Sequence, residues 1–392
     1  MGLRESTTGS KAAGGTRRAI GGPDRRRRAG RARHRCNRVQ AGLVRGSVTA
    51  TSETSLRPEV EGRQNSMYPV AAAPDTGPVD RGLRERAAAL IESAGYGDGD
   101  RVVVGLRHGD APPVYVSHGE RFTTACVASV SKQITAACVA LLVRQGKLDV
   151  ESPLAEWIPE LPGWAATVRV RHLIHHTGGL PEAGEFFALK EAGRHRTVPG
   201  VLAELRGHET LESTPGTTFS YRNPGYTCLS VIVERVAGEP FPDFARSRLF
   251  EPLGMAATRY WPGPAPFPPG ATPTEPGSPA PLSLGDCGVW STAADLMRWN
   301  EALANDELGV SGLLHTAGRL DDGTPLPYGW GIDVLTRAGH PVHRHGGVWA
   351  GLSAQIARLP AQRAGMVVIA LDHAEARTQR LADSLIDELI AR

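Results

Sequence analysis

Ser129 and Lys132 are the residues whose types and spacing could carry out nucleophilic chemistry. They lie near the start of a segment, Thr124 to Gly146, in which apolar residues recur every three or four positions, so we expect a helix with one buried face. On a helix, residues three apart share a face, whereas Ser131 points about 100° away from Lys132. A partly desolvated lysine can take the proton of a serine hydroxyl and make it nucleophilic. The pair predicts acyl transfer, although alone it also fits a helix cap followed by a solvated lysine.

A second polar motif, Tyr221-Arg222-Asn223, precedes a helix that we expect from Pro224 to Gly238. A phenol that shares a proton with Lys132 would have a lowered pKa and could act as a general base or acid. Asn223 would offer its side-chain amide to a substrate or to Lys132. Taken alone, this motif is also typical of turn packing.

The third motif is His345-Gly346-Gly347-Val348, on an expected strand. Two glycines leave room where the backbone of a substrate must approach closely. The N–H groups of Val348 and Ser129 could then form an oxyanion hole. An exposed histidine beside a glycine bulge is the other interpretation of this motif alone. Of His343 and His345, we expect only one to face the cleft.

Elements at both ends of the chain would position these motifs. The sequence predicts an α/β fold in which one sheet is built from both chain ends, with a helical insertion at roughly 150–285. We also expect a helix from Trp290 onward, and a surface loop at 261–281, which contains nine prolines. The remaining predicted elements are a helix at 81–94, strands at 101–106, 114–117, 341–345, 353–359 and 366–371, and a final helix at 374–391.

The order of the three motifs, SxxK, YxN and HxG, resembles that of class C β-lactamases and penicillin-binding proteins. The segments VRHLIHHTGGLP and GDCGVWSTAADLMRWNEAL are similar to further segments of that family, and the resemblance covers roughly residues 83–390. It implies a mainly antiparallel sheet flanked by helices, with a cleft beside a helical domain. It further implies that Ser129 is the nucleophile and that Lys132 and Tyr221 transfer protons. Asn223 and His345 would be polar groups of the cleft.

One departure from the family pattern bears on the substrate. β-Lactamases of this kind usually have Lys-Thr-Gly where this chain has His345-Gly346-Gly347. A lysine there anchors a substrate carboxylate, and a largely neutral histidine does so weakly. We therefore expect a serine hydrolase of small carboxylic esters. The alternatives are a D-amino-acid peptidase or amidase, a β-lactamase, and a non-catalytic binding protein of the same fold.

Charge is divided unevenly along the chain. Residues 1–66 contain 15 Lys and Arg against 5 Asp and Glu, whereas residues 67–392 contain 29 against 36. The acidic balance of the larger part makes nucleic-acid binding unlikely there. We expect residues 1–75 to be a disordered, arginine-rich tail ahead of a hydrolase domain at 76–392. A nucleic-acid arm, a transit peptide and a natural start at Met67 remain open for the tail.

Composition also limits compartment and cofactor. The five cysteines form no CxxC pair, and three lie in apolar runs, so we expect reduced thiols. The sequence shows neither an apolar run long enough to span a membrane nor a secretory signal, which predicts a cytoplasmic protein that does not enter membranes. His175 and His176 adjoin and would point to different sides of a helix, and no HExxH motif occurs, so we expect no metal and no cofactor. The expected partner is a small ester or amide, and the oligomeric state stays open.

Overall fold

Strands from both ends of the chain form the main sheet. This computed structural model describes residues 80–119, 122–183, 186–264, 267–273, 275 and 277–392. In chain order the strands are β1 (Val102–Arg107), β2 (Val114–His118), β3 (Ala125–Cys126), β4 (Arg196–Thr197), β5 (Arg259–Tyr260), β6 (Pro281–Leu282), β7 (Val289–Ser291), β8 (Asp333–Arg337), β9 (His340–Trp349), β10 (Leu352–Leu359) and β11 (Ala364–Ala370). The main sheet has the order β2-β1-β11-β10-β9-β8, and each neighbouring pair is antiparallel. The predicted α/β fold with a mainly antiparallel sheet is confirmed.

Helices cover both faces of this sheet. They are α1 (Arg81–Ser93), α2 (Ser131–Arg144), α3 (Leu154–Trp157), α4 (Val170–Ile174), α5 (Phe186–Glu191), α6 (Val198–Arg206), α7 (Asn223–Ala237), α8 (Phe241–Ala245), α9 (Ala293–Ala304), α10 (Ser311–Leu314) and α11 (Glu375–Ala391). α1 and α11 share one hydrophobic core with the sheet, while α2, α7 and α9 belong to a larger core on the other side. Six of these helices, α3 to α8, fall within the interval 150–285 that was expected to hold the helical insertion.

The ends of the helices follow local rules. α1 begins where the Asp80 side chain accepts a hydrogen bond from the backbone N–H of Leu83, and its buried residues Leu83, Ala87 and Ile91 follow the helical period. α7 ends at Gly238, whose backbone is left-handed, as the sequence predicted. These two caps are set by residues next to the helix ends in the sequence.

The helix after Ser129 differs from expectation. α2 is buried nearly all round and not on one face alone, because α7, α8 and α10 pack against it and Gln133 accepts a hydrogen bond from Arg358 of β10. Its buried residues include Lys132 and Gln133, so a charge and an amide are enclosed with the apolar side chains. The burial of Lys132 is the feature with chemical consequences.

Other differences involve short or polar strands. Trp290 lies in β7 rather than in a helix, and α9 begins only after Thr292, whose hydroxyl accepts the N–H of Asp295. β7 joins β3 and β5 in a second sheet of strands too short for a sequence pattern. β8 was also missed, because its residues are only partly buried and show no alternation.

The remaining predictions concern the N-terminal tail, the cysteines and membrane-spanning segments. The predicted disordered tail, residues 1–75 with Cys36, lies outside the described residues. Within the described part, Cys126, Cys138, Cys228 and Cys287 are free thiols. No helix in that part has the length and apolar character required to cross a bilayer.

Candidate active site

A short turn presents Ser129. The 3-10 turn Ala128–Val130 connects β3 to α2, and Ala128 has a positive φ of 46°. A non-glycine residue in that conformation is strained and persists only where its surroundings hold it. Ser131 does so: its hydroxyl donates to Ala128 O at 2.6 Å and accepts from Val289 N–H at 3.1 Å. Ser131 therefore stabilises the turn through buried hydrogen bonds, while Ser129 remains half-buried.

Lys132 points its ammonium at the Ser129 hydroxyl. Its Nζ lies 3.0 Å from Ser129 Oγ, 2.8 Å from Asn223 Oδ1 and 2.9 Å from the carbonyl oxygen of Asp286. Desolvation lowers the pKa of Lys132 to about 8, while the nearby Asp286 carboxylate acts in the opposite direction. At pH 7, about a tenth of the molecules would carry this amine neutral. A neutral amine in hydrogen-bond contact with a hydroxyl is a competent general base.

Tyr221 lies beside the same pair. Lys132 Nζ is 4.8 Å from the centroid of the Tyr221 ring, and the Ser129 side chain hydrogen-bonds to the phenol. The residue is 37% exposed, so a substrate can reach it. Desolvation raises the pKa of Tyr221 well above 10, and the hydrogen bond from Ser129 offsets this only in part. The expectation of a lowered phenol pKa was wrong, because desolvation of the hydroxyl outweighs the lowering effect of Ser129 on the pKa of Tyr221. Tyr221 is a neutral proton donor at physiological pH.

Aromatic rings enclose this corner of the site. The His176 ring lies 4.3 Å from that of Tyr221, 5.1 Å from that of Tyr226 and 4.9 Å from that of Tyr328, measured between centroids. Its Nδ1 accepts a hydrogen bond from the backbone N–H of Arg222, which places Arg222 immediately before α7. Burial holds the pKa of His176 well below its usual range. His176 is thus a neutral packing residue, and the rings around it keep water from Lys132.

His345 is buried and neutral. Its Nε2 lies 3.1 Å from the hydroxyl of Tyr328, and its Nδ1 lies 2.6 Å from the carbonyl oxygen of Gly346. A carbonyl only accepts, so Nδ1 carries the proton and Nε2 accepts from Tyr328. Desolvation, followed by the charge of Lys132, lowers the pKa of His345 to about 3. This histidine therefore supplies no positive charge for a substrate carboxylate.

His343 lies away from Tyr221, although it shares a face of the strand with His345. Residues two apart on a strand face the same side, so His343 and His345 share a face of β9. They are separated along the strand: His345 is opposite Ile356, and His343 is opposite Arg358. The ring of His343 stacks on His315, away from Tyr221.

The glycines of β9 bring that strand against the turn of Ser129. A Cβ on Gly347 would stand 2.3 Å from Val127 O and 2.9 Å from Ser129 N. The next residue, Val348, is 44% exposed and lies opposite Ser353 in β10. Gly347 thus holds β9 against the turn that carries Ser129. The use of the Val348 and Ser129 N–H groups as an oxyanion hole stays a prediction.

A chain of polar contacts that the sequence did not indicate supports Asn223. The Glu182 carboxylate accepts hydrogen bonds from Asn223 Nδ2 at 3.2 Å and from Asn223 N–H at 3.3 Å. Glu182 also lies 3.8 Å from buried Arg196, which pairs with the buried carboxylate of Asp286. Thr227 donates to the other oxygen of Asp286 at 3.0 Å. The pairing of these distant residues depends on the fold, and no spacing in the sequence could have revealed it.

The described residues contain no group of three His, Cys, Asp or Glu side chains arranged to hold a metal ion. Around Ser129 the polar atoms belong to serine, lysine, tyrosine and asparagine, and they already bond to one another. What this arrangement can do is move a proton from Ser129 Oγ to Lys132 Nζ and return one from Tyr221.

Comparison with known proteins places this geometry in a family. A family model described as Beta-lactamase matches residues 94–389. The chain belongs to the β-lactamase family. Its curated relatives include a penicillin-binding protein of Bacillus subtilis (strain 168), 35% identical over 34% of this chain and 30% of the relative. They also include a D-aminopeptidase of Cereibacter sphaeroides, 29% identical over 66% of this chain and 52% of the relative.

Solved structures of the family share the fold. A D-stereospecific amidohydrolase from Streptomyces sp. superposes with a TM-score of 0.65 and 21% identity, covering 77% of this chain and 98% of that one. This likeness supports the fold alone, given the low identity. The chain spans about half the length of the curated D-aminopeptidase and less than a third of the penicillin-binding protein.

Proposed function

We propose that this β-lactamase family member is a serine hydrolase that cleaves amides or short peptides of D-amino acids bearing a free amino group. The observation that carries the proposal is the 3.0 Å contact between Lys132 Nζ and Ser129 Oγ, together with the lowered pKa of that lysine. A serine beside a solvated, fully charged lysine would have no base to activate it.

The reaction follows from the positions of the donors and acceptors. Neutral Lys132 takes the proton of Ser129 as Oγ bonds to the carbonyl carbon, and the N–H groups of Ser129 and Val348 receive the developing oxyanion. Tyr221 gives its proton to the departing amine and regains one from Lys132. Water then attacks the acyl-enzyme, and the same groups work in reverse to release the acid and restore the Ser129 hydroxyl.

The charges near the site support an amine-bearing substrate. Glu182 is partly exposed beside Asn223, whereas the carboxylate of Asp286 is closed off by Arg196 and Thr227. Glu182 can therefore meet an ammonium group. Conversely, His345 is neutral and cannot pair with a carboxylate as a lysine would. Substrates with an amino group near the scissile bond fit these charges better than β-lactams, which carry a carboxylate.

The relatives favour the same substrate class. Curated relatives matched over 66% and 68% of this chain are D-aminopeptidases. The sequence-based preference for esters used His345, which weakens carboxylate binding without selecting an ester. We therefore place D-amino-acid amides before carboxylic esters, which the same serine would also attack. A non-catalytic protein of this fold is the remaining alternative.

A panel with one leaving group tests the substrate. D-Alanyl, L-alanyl and N-acetyl-D-alanyl p-nitroanilides differ in one feature each, and p-nitrophenyl butyrate and nitrocefin represent the ester and β-lactam alternatives. We expect the D-alanyl compound to have the highest kcat/KM among the anilides and to exceed nitrocefin. Faster turnover of nitrocefin, or cleavage of the ester with none of any anilide, would contradict the proposal.

A covalent label tests the nucleophile independently of substrate. A fluorophosphonate probe should mark the wild-type protein and leave Ser129→Ala unmarked. Ser129→Ala should also lower kcat by several orders of magnitude while the protein remains folded. Absence of labelling in the wild-type protein would favour the non-catalytic alternative.

A further inference from the structure

A second cavity, of about 370 Å³, lies between α9, α10 and the adjoining ends of β10 and β11. Its wall includes Asn300, Ser311, His315, His343 and Arg358, and we refer to it as the Arg358 cavity. None of the residues assigned above to the candidate active site lines it. The cavity therefore needs an explanation of its own.

Arg358 is a buried cation in the wall of this cavity, and no acidic side chain among the described residues forms an ion pair with it. Only 3% of the residue is exposed. Its Nη1 donates to the amide oxygens of Gln133, at 3.1 Å, and Asn300, at 2.8 Å, while its Nε has no partner. Desolvation lowers the pKa of Arg358 to about 9, so the side chain is still charged at pH 7. A buried charge without a counter-ion is costly, so this wall is suited to an anion.

The neighbouring side chains have unused polar atoms as well. His315 and His343 stack with ring centroids 4.1 Å apart, and His315 Nε2 and His343 Nδ1 are both buried without a partner. Burial, followed by the charge of Arg358, lowers the pKa of His315 to about 2, and the same causes lower that of His343 to about 4. Both rings are thus neutral, and each keeps one N–H donor. The hydroxyl of Ser311 is also buried without a partner.

The rest of the wall limits what kind of anion would fit. Met297, Leu303 and Leu359 contribute apolar surface, which suits a ligand with an apolar body. Arg107 and Arg363 also line the cavity, but they pair with Glu301 and Asp110, so Arg358 is the wall cation without an acidic partner among the described residues. The planar guanidinium matches the two oxygens of a carboxylate. We propose that the Arg358 cavity binds a small organic monocarboxylate, with its carboxylate at Arg358 and its apolar body against α9.

Gly312 offers a way to close the cavity without removing any charge. It lines the cavity, and a Cβ built on it would meet no atom within 4 Å. Gly312→Phe therefore has room for a larger side chain beside the cavity, and Gly312→Ala controls for the change of backbone residue. Arg358→Met removes the cation itself. Its matched control is Arg344→Gln on β9, because Arg344 is paired with Asp383 and is absent from the cavity wall.

Benzoate, titrated into the full chain by calorimetry and followed by thermal unfolding, is the probe. We expect one benzoate per chain and a raised Tm for wild type, Gly312→Ala and Arg344→Gln. Gly312→Phe should lose binding, and Arg358→Met should bind roughly tenfold to a hundredfold more weakly, the usual effect of one charge-assisted contact. If Arg358→Met does not fold, Gly312→Phe decides. No binding to wild type, undiminished binding to Gly312→Phe, equal binding of neutral benzyl alcohol, or tighter binding of inorganic phosphate would each overturn the proposal.

Discussion

The backbone of Gly347 lies so close to Ser129 that a methyl group on this glycine would stand 2.9 Å from the Ser129 nitrogen. The same methyl would stand 2.3 Å from the carbonyl oxygen of Val127. Strand β9 and the turn carrying Ser129 are therefore in contact backbone to backbone. The sequence suggested that these glycines admit a substrate, but at Gly347 the space is taken by the protein itself.

This contact predicts different effects for two neighbouring glycines. A Cβ on Gly346 would meet the flexible side-chain amide of Gln355 at 2.8 Å, which can turn aside, whereas the neighbours of Gly347 are backbone atoms. Gly347→Ala should displace the turn and lower kcat/KM by about a hundredfold, and Gly346→Ala should cost much less. Equal losses in the D-alanyl p-nitroanilide assay would show that the effect of Gly347→Ala does not come from displacement of this turn.

Ser131 should matter for stability and not for nucleophilic attack. Ser131→Ala leaves the Val289 N–H without its acceptor and should lower the free energy of unfolding by about 1–3 kcal/mol. The fluorophosphonate probe should still label the variant at Ser129. Denaturant titration measures the first effect. Loss of labelling in Ser131→Ala, with retained labelling in Ser129→Ala, would reverse the assignment of the two serines.

The pH dependence of kcat/KM should follow Lys132. The amine must be neutral to take the proton of Ser129, so kcat/KM should rise with pH and level off above about 8. Tyr221 should add no falling limb below pH 10, because its pKa is raised well above that value. The pKa of His345, about 3, lies outside the range, so His345→Gln should leave the position of the limb unchanged. With p-nitrophenyl butyrate, which has no amino group to titrate near pH 8, a profile that falls through pH 8 would indicate that charged Lys132 is the active form.

Asp286 should set the position of that limb. Its carboxylate raises the pKa of Lys132, so Asp286→Asn should move the rising limb of kcat/KM to lower pH. The substitution also leaves buried Arg196 with only the more distant carboxylate of Glu182, at 3.8 Å, which should lower the free energy of unfolding by up to about 3–5 kcal/mol. The pH profile must therefore be measured at a temperature where the variant remains folded. A rising limb at an unchanged pH would show that the Asp286 carboxylate does not affect the pKa of Lys132.

Glu182 should distinguish substrates by their amino group. Glu182→Gln keeps a side chain of the same shape but removes the charge that would attract an ammonium. The ratio of kcat/KM for D-alanyl over N-acetyl-D-alanyl p-nitroanilide should fall by about tenfold or more. A parallel fall for both substrates would assign Glu182 only to the support of Asn223.

The sequence was most informative where chemistry depends on local spacing. Ser129 and Lys132 are one helical turn apart, so their proximity could be predicted from residue numbers alone. Tyr221 and His345 were identified because each belongs to a motif, and the order of the three motifs along the chain resembles that of a known family. Their pKa values could not be predicted in the same way, because burial by residues from many elements decides them.

What the sequence missed depends on long-range pairing. Arg196 and Asp286 are 90 residues apart, and no sequence pattern in either segment indicates that the two side chains pair. Tyr328, which donates to His345, lies in an irregular segment without a motif. Arg358 is one of three polar residues in a strand whose residues are all buried, and only the packing of α9 and β9 around it reveals the missing counter-ion.

The position of β1 in the sheet has a consequence for how the chain folds. This early strand pairs along its whole length with β11, from Val102 opposite Ala370 to Arg107 opposite Gly365. In the first hairpin, β1–β2, one edge of β1 therefore has no partner strand until synthesis has passed β11, shortly before the C-terminal helix. Until then that edge can join another chain, and contacts so distant in sequence form slowly. Truncation after β10 should thus yield an aggregating fragment, even though it would contain every residue proposed to act on the substrate.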